Sequence, residues 1–583
     1  MRSNLKSSTL FWSRCSRVLS WQSPYPTNKQ KKPDLESDFS FYLCEEQTAT
    51  PASLPKGMPA LPCSQKFQIN LDNSGQLFIL HSDSFNQRLC IMKQRIQALL
   101  PRLYKIFFWG LLVQFFLHTL ITHQIGREGG IRTLIRLWKE IFILLFAGLI
   151  GYWIFFCEGK EERKLTWNHL RTSELFRFLI WFLIACAVSF LLAVGIQKVG
   201  LGTYILSFKY DLMGFLIFLL GVGLTRYLPQ PRLKITKRYT KLLQLVVIGG
   251  LFWRALSYFM PNALDHLGYN RFNYEGTIGT RPPAVYYTNI NQGFVRNEFL
   301  FERPIYFGFF LVAFRPLFAL SYLRTRSKKE ALLRMIGYGL LVFSTFSRAA
   351  IGVRLLETAI IILALYRAYA KRLIFGIGLP LALVGGALFW HYRGIFAREH
   401  SNTGHAALLV EGLKIWQESP FFWRGAGYSG PASHQVCFNA LQSSDPNSQN
   451  PRCERIKEVN ARYEIPTFWY NPENQYVQIF MEYGILGLLP RLFCFIWLIR
   501  IGLRAIKPLA LECKKGKKAD QKKINQLVCL TGFGIGMLGL ALEGMVLHSF
   551  VDRMVVYPLM LLYGIVYGQS TAPTQAKQPP KPH

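Results

Sequence analysis

Four polar clusters interrupt an otherwise apolar chain, and their residue types could supply anion-binding groups and a general base. The first, "RNEFLFERPIYFGFFL" (296–311), puts Arg296 and Arg303 at the mouth of a helix. A guanidinium fork matches phosphate oxygens and stays charged in apolar surroundings. Arginines near helix ends also snorkel to the membrane interface, and spacing alone favours that plainer role. The second, "STFSRAAIGVRLLE" (344–357), holds Arg348 at a turn between two helices with no obvious local partner. Arg354 and Glu357 follow on one helix face and read as a structural ion pair. The third runs from Arg398 to Gly430. Residues 405–417 read as an amphipathic helix at the membrane face, and Gly425, Gly427 and Gly430 as a loose turn. No strand precedes that turn, so it is not a dinucleotide or P-loop fingerprint. The fourth, "NPENQYVQIFMEYGILGLLP" (471–490), sets Glu473 and Asn474 where a polar loop meets an apolar helix, with Tyr476 and Glu482 further in. A carboxylate there is favoured by the helix dipole, and N-capping explains the pair simply. The alternative is a general base held in a partly dry cavity.

The elements that must position these residues are membrane spans. Half of the 583 residues are hydrophobic, only 17% are charged, and apolar runs such as 175–196 and 373–390 recur. A bilayer core takes about 20 apolar residues per helix. The expected fold is all-α: a polytopic integral membrane protein with about twelve transmembrane helices. The spans fall near 104–123, 140–157, 177–198, 206–225, 241–259, 303–323, 332–347, 349–367, 373–391, 476–503, 526–547 and 552–568. The net charge of +35 sits largely in short loops at 226–241, 324–329, 367–372 and 514–523. That is the positive-inside pattern, and anionic head groups answer it better than nucleic acid. The basic stretch 127–140 falls on the outer side in this count and fits it poorly.

Two long outer loops then remain, about 260–302 and 392–475, and loops of that length are uncommon unless functional. Residues 1–100 read as a poorly ordered cytoplasmic extension, with Met92 as an alternative start. The membrane domain covers 101–570, and 571–583 reads as a disordered tail. Cys437 and Cys453 share the second outer loop, which would permit a disulfide there. His405 and His434 are lone histidines without metal-ligand spacing, so no metal or other cofactor is expected.

Taken in order, these four clusters resemble the O-antigen ligase and polymerase family of bacterial inner-membrane glycosyltransferases. Arg296, Phe301 and Pro304 fit the family's first outer-loop motif, with Ile305 in place of its asparagine. Ser347-Arg348-Ala349 is similar to its Ser-Arg-Gly turn, and Pro420 with Gly425-Ala426-Gly427 to its large loop. His405 stands where an arginine is usual. Glu473-Asn474-Gln475-Tyr476-Val477-Gln478, then Glu482, Gly484 and Gly487, is similar to its signature, with glutamate at 473 in place of histidine. The resemblance implies transfer of a glycan from undecaprenyl pyrophosphate to a lipid A core sugar, another glycan or a protein, on the periplasmic side and without metal. It assigns catalysis to Glu473, Asn474, Arg296 and Arg348, and substrate binding to Arg303, Arg398, His405, Tyr476 and Glu482. Polymerase and protein-glycosylating branches stay open. A transporter is the competing class, but it would show paired broken helices in two matching halves, and none is seen.

Overall fold

The computed structural model describes residues 130–152, 173–196, 199–227, 232–260, 296–301, 304–321, 328–365, 399–417, 424–432, 472–515 and 520–571, with isolated positions within 91–110, 155–164 and 375–391. Every regular element among them is helical. In chain order these are α1 (Gly130–Tyr152), α2 (Glu174–Phe190, continued by a π-turn Leu191–Ile196), α3 (Leu201–Tyr227) and α4 (Arg232–Phe259). They are followed by α5 (Pro304–Ser321), α6 (Lys328–Ser344), α7 (Arg348–Leu365) and α8 (Glu399–Gln417). The last three are α9 (Gln475–Lys514), α10 (Gln521–Glu543) and α11 (Arg553–Thr571). Four of the described helices are long and apolar enough to cross a membrane: Glu174–Ile196, Leu201–Thr225, Gln475–Lys514 and Gln521–Glu543. The protein is a helical membrane protein.

The basic stretch at 127–140 is corrected by α1, which begins at Gly130 rather than near 140. Most of that stretch is helix, not loop. Its Lys139 and Glu140 are buried, and Glu140 pairs with Lys209 of α3.

Small residues set the register of the bundle by letting backbones approach, the usual basis of helix association in membranes. Gly532 and Gly536 of α10 lie against Leu317 and Ala313 of α5, and Gly539 lies against Val312, so α5 and α10 run antiparallel. Gly502 of α9 meets Gly534 of α10, and the Gln475 N–H donates to the Gly544 carbonyl at 2.9 Å, so this pair is antiparallel too. The Ser189 hydroxyl donates to the Glu482 carbonyl, and the Phe178 and Phe493 rings stack, which orients α2 against α9. By contrast α3 and α11 run parallel: Gly214 faces Val556, Gly221 the Leu561 carbonyl, and Thr225 Gly568.

This register gathers one set of helix ends together. The N-termini of α3, α5, α7 and α9 share an end with the C-termini of α2, α6 and α10. The described helix ends beside the basic runs 226–241, 324–329 and 514–523, among them Arg232, Lys328, Lys514 and Lys522, belong to the opposite end.

At 40 residues, α9 would extend about 60 Å, twice the hydrocarbon thickness. It is broken at Gly484, where φ 60 and ψ −163 are open only to glycine. Below the break Ile485, Leu486, Leu489, Phe493 and Ile496 are exposed and form a lipid-facing stripe. Above it, Gln475, Gln478 and Glu482 are buried in polar contacts.

Candidate functional site

Asn474 starts α9. Its side-chain oxygen accepts from the N–H groups of Tyr476 and Val477, both at 3.0 Å, which satisfies two donors the helix leaves open. Its amide nitrogen donates to the Met545 carbonyl at 2.7 Å, tying the cap to the end of α10. The Tyr476 hydroxyl donates to the Ala541 carbonyl, and the Phe550 N–H donates to Gln475 Oε1. Asn474, not Glu473, is therefore the cap.

Glu473 is freed from that duty. Its backbone sits at φ 47, a left-handed conformation that costs a non-glycine residue on the order of 1–3 kcal/mol. Its carboxylate pairs with His405 Nδ1 of α8, with about a third of each side chain exposed. Trp416, at the other end of α8, packs on Phe480 of α9, so α8 descends alongside α9 from this pair. The expected helix at 405–417 is present and starts earlier, at Glu399.

The arginine pair of the first two clusters is joined by the chain. Arg296 is buried and donates from Nε to the Thr345 carbonyl at 2.8 Å. Thr345 lies in the turn between α6 and α7 that carries Arg348, which is partly exposed at the first residue of α7. Beside it Asn297 donates to the Gly250 carbonyl and to the Ser344 hydroxyl, and accepts from the Phe299 N–H. Glu298 is also buried. Burial pushes its carboxyl up to about 8, against a pull from Trp253, Arg254 and Arg296. Phe299 and Phe346 both adopt positive φ. With Glu473 they are the three non-glycine residues in that region among the described residues, and all three lie in segments of this site. Strain of this kind clusters at functional sites.

The glycine turn is built on Glu482. Oε1 accepts from the N–H groups of Gly427 and Ser429, each at 3.0 Å. Oε2 accepts from the Ser207 hydroxyl at 3.0 Å and from Gln478 Nε2 at 3.2 Å. Gly425, Gly427 and Gly430 all have positive φ, and side chains there would run into Ala193, Thr203 and Gln478. Sequence marks Glu482 for substrate binding; its side chain is fully enclosed and both oxygens are used.

Below this turn lies a group of residues that sequence reasoning did not single out. Arg491 of α9 and Asp211 of α3 pair at 2.7 Å, both almost fully buried, and the Tyr483 hydroxyl donates to Asp211 at 2.9 Å. His548, in the turn after α10, is pushed down to about 3 by burial and by the nearby Arg491 charge, so its imidazole is neutral. A second buried pair, Arg315 with Glu357 at 3.3 Å, corrects the expected Arg354–Glu357 pair. Arg354 instead donates to the Gly339 carbonyl and lies over the Phe343 ring. Lone ionisable residues within apolar runs were the available signal, but their partners lie far away in sequence.

Arg303, Arg398, His434, Cys437 and Cys453 lie outside the described residues, as do residues 1–90 and 572–583. Among the described residues no group of three or more His, Cys, Asp or Glu could hold a metal ion.

Residues 333–490 match the family model described as O-antigen ligase. The chain carries an O-antigen ligase family domain. The matched segment runs from α6 to just past the break in α9, and contains Arg348, His405, the glycine turn, Glu473, Asn474 and Glu482. Arg296 precedes it and joins the ligase-family segment through Thr345. A search of curated proteins gave no match.

Proposed function

We propose that this chain is a polytopic glycosyltransferase of the bacterial inner membrane, with about twelve spans, that acts on its periplasmic face. It moves a glycan from undecaprenyl pyrophosphate to an acceptor, a lipid A core sugar in the preferred reading. The observation that carries this is the Glu473–His405 pair, held at the same end of the bundle as Arg296 and Arg348. The described basic helix ends beside 226–241, 324–329 and 514–523 belong to the other end, and positive loops stay cytoplasmic.

In the transfer step the acceptor hydroxyl oxygen forms a bond to the anomeric carbon of the glycan. The bond from that carbon to the pyrophosphate oxygen breaks, and the pyrophosphate leaves with the electron pair. Glu473 takes the hydroxyl proton, and His405 orients its carboxylate. Charge grows on the leaving oxygens, where Arg348 stabilises it. Arg296 fixes the turn that presents Arg348. Arg303 and Arg398 are further guanidinium groups for the donor. Asn474 and Tyr476 hold the rim by their contacts with α10. The step calls on no metal.

The test is transfer by purified protein given a lipid-linked glycan and a core acceptor. Wild type makes the ligated product, and Glu473→Gln does not. Equal rates in the two would overturn Glu473 as base. In cells, deletion followed by gels of surface polysaccharide separates the branches: uncapped core lipid marks a ligase, single-repeat products a polymerase, and a missing glycoprotein the protein-modifying branch.

A further inference from the structure

The turn at 424–430 is more tightly anchored than a loop linker requires. Its N–H groups are taken one after another by two helices, α2 and α9. Arg424 N–H donates to the Met481 carbonyl at 3.0 Å, Ala426 N–H to the Ser189 hydroxyl at 2.7 Å, and Gly427 and Ser429 N–H to Glu482. Glu482 is the hub, since its second oxygen binds Ser207 of α3 and Gln478 of α9. Its one carboxylate therefore sets the position of the turn against α3 and α9.

The depth of this turn is also fixed. It touches Ala193 at the end of α2, Thr203 at the start of α3, and Met481–Glu482 just above the break in α9. The exposed apolar residues Ile196, Leu201 and Ile485 mark the top of the lipid-facing surface on those same helices. The turn thus lies level with the end of that exposed apolar surface.

What it offers at that depth is Arg424. The backbone is held by Met481, and the guanidinium lies over the Tyr428 ring, 5.6 Å from its centroid. Both side chains are partly exposed. An arginine restrained on an aromatic face is a pre-organised phosphate binder.

We propose that Glu482 is a positioning residue that locks this turn, and that the locked turn presents Arg424 to the phosphate of the lipid-linked donor. This rests on the glycosyl-transfer reading, and it gives the second outer loop an arginine although His405 occupies the position where sequence expects one. A phospholipid head group offers the same phosphate chemistry, so the test must separate the two.

The first measurement needs no activity. Hydrogen exchange of the full chain in nanodiscs reports on the Gly427 and Ser429 amides. Glu482→Ala should speed their exchange by about a hundredfold, because two buried N–H groups lose their acceptor. Glu482→Gln should restore most of the protection, since the amide oxygen accepts both bonds and Gln478 can turn its own oxygen to face the new NH₂. Unchanged protection in Glu482→Ala would overturn the lock.

The second is steady-state transfer in phosphatidylcholine nanodiscs with a lipid-linked glycan donor. Arg424→Ala should raise the donor KM about tenfold with kcat held within about threefold, the mark of lost ground-state binding. Glu482→Ala should do the same, and Glu482→Gln should bring the KM back. A KM for Arg424→Ala that equals wild type in phosphatidylcholine, and rises only when anionic lipid is added, would assign the phosphate to a head group and overturn the donor assignment. If wild type transfers nothing, the glycosyl-transfer reading fails by itself, while the exchange result still decides the lock.

Discussion

Glu473 and Glu482 are two carboxylates at the top of one helix, and the fold treats them in opposite ways. Glu482 is fully enclosed, and two backbone N–H groups, a hydroxyl and an amide consume its oxygens. Glu473 stands outside the helix on strained backbone, one-third exposed, facing a histidine. A carboxylate whose lone pairs are all used cannot accept a proton from a substrate without dismantling its surroundings. One held by a titratable partner at a solvent boundary can. The proposed function accordingly puts chemistry at the less stable position and architecture at the more stable one.

This contrast can be broken by substitution. The largest effect is expected at Glu473: Ala or Gln there should lower kcat for glycan transfer by about 10²–10⁴ while thermal unfolding in detergent barely changes. Next is Arg348→Ala, where loss of charge stabilisation should reduce kcat by about 10²–10³ with the protein still inserted. If either variant instead fails by unfolding, the division between chemistry and architecture is wrong. On the architectural side, Asp211→Asn should destabilise the bundle by about 3–5 kcal/mol, because Arg491 is left buried without its counter-charge. Replacing both partners by apolar residues of similar volume should recover most of that loss, as read from unfolding midpoints.

A further effect concerns pH. The Glu298 carboxyl is raised from its ordinary 4.5 to about 8 in the folded chain. Below 4.5 it is protonated whether folded or not. Between 4.5 and 8 the folded chain keeps a proton that the unfolded chain releases, so stability falls as pH rises, and above 8 the loss is complete. Glu298→Gln should flatten that part of the stability profile and raise the unfolding midpoint at pH 8 above that of wild type. A midpoint with the same pH slope in both proteins would rule Glu298 out as the source.

The lateral pattern of the fold was legible in the sequence, and the pairing was not. Apolar runs of span length marked α2, α3, α9 and α10, and Gly425, Gly427 and Gly430 marked a turn that does use left-handed backbone. The segments holding Arg296, Arg348, His405 and Glu473 were visible because polar residues stand out where apolar helices begin. Asp211 with Arg491 could not be read, since one lies in α3 and the other in α9 and neither run has a periodicity that names the other. The surroundings of Glu482 could not be read for the same reason: its partners come from the 427–429 turn and from Ser207, and sequence shows a carboxylate without showing what surrounds it. Sequence also placed a loop at 127–140, because charge outweighed helical continuity. Helix α1 reconciles the two by burying Lys139 and pairing Glu140 with Lys209.

The parallel packing of α3 on α11 bears on how the protein is made. The notched face of α3, from Gly214 through Gly221 to Thr225, is matched by Val556, Leu561 and Gly568 near the far end of the chain. A chain emerging from its N-terminus must hold that face without its partner until residues 553–571 have been made. Release ahead of residue 553 would leave α3 with an unfilled groove and Asp211 on a helix lacking one flank. Helix α11 therefore closes a face that α3 must carry open while the intervening helices are made.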